Sequence, residues 1–140
     1  MSARESTPSD AYPCFYYDDA VSAIEWLCRA FGFRRRLVVP GPNATVLHAE
    51  LTFGTVVIMV ATSKPDMGWV SPKHLAGRNS MLSLYVEDPD RHFAQAKAAG
   101  AVVLRDIEDA KHGGRGYMVR DPEGNQWFFG SYRPGEHWAE

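Results

Sequence analysis

The chain repeats itself. Asp88 follows Asp19 by 69 residues, Gly100 follows Gly32 by 68, and Gly124 follows Gly54 by 70. Each set carries the same signals. An aspartate suits the N-cap of a helix, a glycine suits its C-terminal stop, and a second glycine suits a turn between strands. One β-α-β-β-β unit of this size covers only one face of its sheet. Repetition at this period therefore implies a paired-module domain. The fold class expected is α+β: two repeated β-α-β-β-β modules forming a curved mixed sheet with a cleft.

The local signals divide the 140 residues as follows. Residues 1–11 are polar and read as a disordered N-terminus. A single domain then spans 12–133, as modules 12–61 and 81–133 joined by a loop over 62–80, and 134–140 is a C-terminal tail. In the first module, Cys14 to Tyr17 is an aromatic strand and Asp19 caps a helix starting at Ala20. Val21, Ile24, Cys28 and Phe31 fall on one helical face. Strands follow at Arg36–Val39, about Thr45–Phe53 and Thr55–Ala61. In the second module, Met81–Val86 is a strand and Asp88 caps a helix with Pro89 in its first position, where proline is tolerated. Phe93, Ala96 and Ala99 form its apolar face. Val102–Leu104, Gly116–Arg120 and Gln126–Tyr132 are strands, and Asp121-Pro122-Glu123-Gly124 is a turn.

Composition narrows the classes of function. A content of 45% hydrophobic and 23% charged residues is that of a globular protein. A net charge of -2 offers no electrostatic basis for nucleic acid or an anionic membrane as partner. The one basic run, Arg34-Arg35-Arg36, is expected just past a helix C-terminus, where it complements the helix dipole. No segment has the apolar length of a signal core or a membrane helix, so the location expected is cytoplasmic. Cys14 and Cys28 lack metal-type spacing and read as reduced, buried small hydrophobes.

Several motifs together resemble the vicinal oxygen chelate superfamily, the glyoxalase, bleomycin-resistance and extradiol-dioxygenase group. They are the repeated module, the helix from Asp19 ending in Ala30-Phe31-Gly32-Phe33, the strand His48-Ala49-Glu50-Leu51, the approach Val86-Glu87-Asp88 to the second helix, and the turn Arg120-Asp121-Pro122-Glu123-Gly124-Asn125-Gln126-Trp127. The resemblance implies a cleft that, in catalytic members, holds a divalent metal through His and Glu ligands on the first and last strands of each module. Counted from the capping aspartates and turn glycines, those positions here are Tyr12, Met59, Met81 and Phe128. None is a good ligand for a hard or borderline divalent cation. The resemblance is therefore to the metal-free, antibiotic-resistance branch. No metal and no cofactor are expected, the partner is a small hydrophobic or aromatic molecule, and the assembly is a homodimer.

The candidate ligand-binding residues are Tyr12, Tyr16, His48, Glu50, Met59, Trp69, Met81, Tyr85, Arg115, Trp127 and Phe128. Aromatic and methionine side chains suit a concave apolar site for flat or cationic aromatic molecules. Strand alternation puts Phe128 and Phe129 on opposite faces, and the metal-ligand position that the resemblance implies assigns Phe128 to the cleft and Phe129 to the core. His48 and Glu50, two apart on one strand, share a face. They are the candidate catalytic pair for proton transfer, a hydrogen-bonding pair, or an unusual metal site in a lyase, isomerase or dioxygenase. Equally they form a solvated strand face or a dimer contact. Arg115 either reaches a ligand's anionic group or pairs with carboxylates. Asp106, Glu108, Asp109 and His112 read as a solvated loop or a cation-binding cluster. His74 and Trp69 lie in the linking loop, Trp69 as a lid or a dimer contact.

Overall fold

The computed structural model describes residues 10–135. The expected termini, 1–11 and 134–140, fall almost wholly outside them. The chain divides into two compact units, Met1–Ala76 and Gly77–Glu140.

The first unit runs β1 (Cys14–Tyr17), α1 (Ala20–Phe31), β2 (Arg34–Pro40), β3 (Val46–Phe53) and β4 (Val56–Thr62). Its four-stranded sheet has the order β1-β4-β3-β2, with β1 parallel to β4 and the other pairs antiparallel. Asp19 starts α1 as expected, its carboxylate accepting from the Ser22 amide at 3.1 Å. Gly32 ends it at φ 89°, donating its N–H to Cys28 O. That left-handed conformation is one that glycine adopts without steric cost. The buried helix face is Ala20, Ala23, Ile24, Leu27, Ala30 and Phe31, closing on Tyr17, Ala49, Leu51, Ile58 and Val60 of the sheet. Val21, expected on that face, is exposed, and Trp26 is buried instead.

The second unit repeats the order: β5 (Leu82–Tyr85), α2 (Pro89–Ala98), β6 (Val102–Asp109), β7 (Arg115–Arg120) and β8 (Gln126–Gly130). The sheet order is β5-β8-β7-β6, again with one parallel pair, β5 and β8. Asp88 caps α2 by accepting from the Arg91 amide, with Pro89 in the first turn. Leu84, Phe93, Ala96, Tyr117, Val119, Trp127 and Phe129 form the core of this unit. The two modules thus have the expected α+β topology, each with its own sheet.

Arg34–Arg36 lie just past the end of α1, as expected, and already begin β2. Two expectations change. Asp106, Glu108 and Asp109 belong to strand β6, not to a loop. Residues 62–76 are organised and belong to the first unit. Pro65–Met67 and Pro72–His74 form short 3-10 turns, and Lys64 pairs with Trp69.

Candidate functional site

In each unit one sheet face packs on the helix and the other does not. The helix-free faces carry most of the residues singled out from the sequence. On the first sheet one registered row across the strands reads Cys14, Met59, Glu50, Leu37. On the second sheet the corresponding row reads Ser83, Phe128, Met118, Arg105. Cys14 precedes Asp19 by the same five residues as Ser83 precedes Asp88. The rows therefore match, and Met59 and Phe128 hold equivalent central places. Cys14 is exposed in its row, not buried as expected. Cys28 is partly buried, and desolvation raises its thiol pKa. Tyr12 and Met81 lie just ahead of β1 and β5, both exposed.

His48 and Glu50 share the helix-free face, and the structure joins them directly. His48 Nε2 and Glu50 Oε2 are 2.9 Å apart, and Arg36 Nε donates to Glu50 Oε1 at 3.0 Å. Both carboxylate oxygens are thus engaged. The hydrogen bond from His48, then that from Arg36, holds the Glu50 carboxyl below its ordinary range. A carboxylate held ionised between two donors orients them well but is a weak proton acceptor. Arg36 faces Glu50 because the β2–β3 register slips between Arg35 and Leu37. Such a bulge re-aims a side chain.

Tyr16 stacks on Trp69, with ring centroids 5.2 Å apart and planes at 21°. The loop that brings Trp69 there is pinned at Asp18. Ser63 Oγ donates to Asp18 Oδ1 at 2.6 Å, and His74 Nε2 lies 2.6 Å from Asp18 Oδ2. These bonds, that from Ser63 foremost, lower the Asp18 pKa. His74 therefore anchors the loop. Trp69 remains half-exposed.

On the second sheet Phe128 lies on the helix-free face and Phe129 in the core, as alternation requires. Tyr85 is also on the helix-free face, with the Arg133 guanidinium 3.6 Å above its ring.

Two assignments are corrected. Trp127 does not border this face. It is fully buried beside Phe129, and its indole N–H donates to Asp121 Oδ2 at 3.0 Å. Alternation puts neighbours on opposite faces, so Trp127 and Phe128 cannot share one. Arg115 points to the helix side, where its guanidinium binds Asp90 at 2.9 and 3.0 Å and Asp109 at 3.3 Å. Those bonds raise its pKa and, through Arg115, lower that of Asp90. It ties β7 to α2 and β6. His112 contacts Tyr132 edge-on, at 4.6 Å between centroids.

Sequence reasoning missed Arg36 and Arg105. Arg105 lies 5.9 Å above the Phe128 ring. It also missed the contact of His92 with Tyr117, 2.5 Å between Nδ1 and the hydroxyl. Burial pushes the Tyr117 phenol well above its ordinary pKa.

The donor set does not fit the divalent metal of the catalytic members. Met59, Met81 and Phe128 offer thioether and phenyl groups, and a tyrosine phenol such as that of Tyr12 is an uncommon ligand. Among the described residues no group of three or more His, Cys, Asp or Glu side chains could hold a metal ion. No helix among them is long and apolar enough to cross a membrane.

Comparison with known proteins agrees with this architecture. The chain is 35% identical over 121 residues to the Mycobacterium bovis protein Mb0911c, spanning 84% of this chain and 80% of that one. It is 32% identical to TioX from Micromonospora sp. ML1, whose crystal structure superposes with a TM-score of 0.69 over 89% of this chain and 97% of that one. The fosfomycin resistance protein FosX of Listeria monocytogenes shares the fold at 11% identity, with a TM-score of 0.68 over 91% of this chain and 96% of FosX. A family profile matches residues 11–129, and the chain belongs to the Glyoxalase/Bleomycin resistance protein/Dioxygenase superfamily.

Proposed function

We propose that the protein binds a small hydrophobic or aromatic molecule without a metal and sequesters it, as in antibiotic resistance. One observation carries the reading. Met59 and Phe128, at two of the positions where catalytic members place metal ligands, occupy the middle of matched rows on the helix-free sheet faces. A thioether and a phenyl ring there supply polarizable, apolar contact and no Lewis-base oxygen or nitrogen. The stacked Tyr16 and Trp69 add a second aromatic surface on the first unit. Glu50, held ionised by His48 and Arg36, serves to orient hydrogen-bonding groups. Homodimerisation belongs to the same proposal and is read by light scattering.

The alternative, a lyase, isomerase or dioxygenase using His48 and Glu50 on a metal, requires Arg36 to release Glu50. Elemental analysis of dialysed protein, run beside thermal denaturation with flat aromatic compounds, tests the choice. The expected result is substoichiometric metal and a raised midpoint with aromatics. A ligand at about 100 times its Kd adds about 2.7 kcal/mol of stability. Stoichiometric zinc, nickel, manganese or iron, lost in His48→Ala, overturns the proposal.

A further inference from the structure

We infer that the helix-free face of the second sheet takes a planar anion of the aromatic carboxylate class, with Phe128 as its stacking platform and Arg105 as its charge partner. The inference rests on the binding function proposed above and specifies its ligand.

The platform is built by two missing side chains. Gly116 and Gly130 are register partners on β7 and β8. A Cβ on Gly116 would stand 2.6 Å from Phe128 Cζ, and one on Gly130 would stand 2.8 Å from Phe128 Cε1. Neither glycine has the positive φ that would call for glycine on backbone grounds. Gly116 would also press on Phe129 O, and Gly130 on Arg115 O, so close sheet packing contributes. The ring contact is what the two positions share. The phenyl ring lies across the glycine pair, with one flank against backbone and the other turned outward. Offset stacking on such a ring selects flat partners.

The charge of this face selects the sign. Arg105 sits over the ring, and the β6–β7 register is irregular on both sides of it, between Val103 and Arg105 and between Arg105 and Glu108. Irregular pairing of that kind redirects a side chain. Among the described residues Arg105 makes no ion pair. Arg120 lies on the neighbouring row and Arg133 over Tyr85, against Glu108 as the registered carboxylate of the same face. A guanidinium meets a carboxylate through two parallel N–H donors, and its flexible stem lets it move from the ring to an arriving anion.

Calorimetric titration of the full chain tests this with three probes: 2-naphthoate, its neutral analogue 2-naphthalenemethanol, and the non-planar anion cyclohexanecarboxylate. Naphthoate is expected to bind at least tenfold more tightly than either of the others, and less tightly as salt rises. Arg105→Gln should reduce naphthoate to the affinity of the alcohol and leave the alcohol unchanged. Gly116→Ala should weaken both aromatics by displacing the ring. If that variant does not fold, Phe128→Leu, which keeps the volume apolar but removes the stacking face, gives the same readout. Equal affinity for naphthoate and the alcohol, with no effect of Arg105→Gln, overturns this inference while aromatic binding stands. Failure of both aromatics to bind overturns the proposed function with it.

Discussion

Asp121 accepts the indole N–H of Trp127 at 3.0 Å while the same carboxylate takes the amides of Glu123, Gly124 and Asn125 at 3.0 to 3.1 Å. Both residues are buried. The turn and the strand after it are thus one unit, and the aspartate orients the largest side chain of the second core. Asp121→Ala leaves the Trp127 indole and the Glu123 and Asn125 amides without this acceptor, while the Gly124 amide keeps the Asp121 carbonyl. Unsatisfied buried donors cost about 1 to 3 kcal/mol each, partly relieved by water. The expected loss is about 2 to 4 kcal/mol in urea denaturation, with a red shift of tryptophan emission.

Glu50 gives a pH signature. Its folded pKa lies below the unfolded value, so its contribution is present above the unfolded pKa of about 4.3 and is lost as pH falls through the folded value. The contacts to Arg36 and His48 should break in that acidic window. Carboxyl carbon chemical shifts of Glu50, followed downward from neutral pH, should show a midpoint below that of an unperturbed glutamate. Glu50→Gln should abolish the transition.

The loop at 62–76 depends on one aspartate. Asp18 also has a depressed pKa, so its hold on Ser63 and His74 is complete near neutrality and loosens only in acid. Asp18→Ala should raise amide exchange at Lys64 and Trp69, whose paired backbone bonds close the loop, at least tenfold at neutral pH. Unchanged exchange there would mean the loop is held by Trp69 against Tyr16 alone.

Tyr117→Phe removes the hydroxyl that meets His92 and keeps the buried ring. A net hydrogen bond contributes about 1 kcal/mol, so the loss expected in chemical denaturation is of that order. A much larger loss would show that His92 and Tyr117 belong to a wider polar network.

What the chain discloses from its sequence is what depends on near neighbours. Asp19 with Gly32, and Asp88 with Pro89, announce their helices because capping acts across three or four residues. Alternation separates Phe128 from Phe129, and once the resemblance sets Phe128 on the cleft face the same rule, applied one residue earlier, places Trp127 in the core. Other features depend on distant partners. The loop at 62–76 looks like a linker until His74 is seen on Asp18, 56 residues away. Strand β6 hides its length because Asp106, Glu108 and Asp109 lie on an edge strand, where no apolar alternation is needed. Arg36 and Arg105 are revealed only by irregular pairing, which sequence patterns do not show.

The matched rows through Met59 and Phe128 turn the duplication into an internal reference. A carboxylate introduced at 59 can be compared with one at 128 within the same molecule, at the same depth in the same sheet order. Whatever differs between the two outcomes then belongs to the neighbours, Glu50 and Leu37 on one side, Met118 and Arg105 on the other. The shared strand order and register leave each half as the control for its twin.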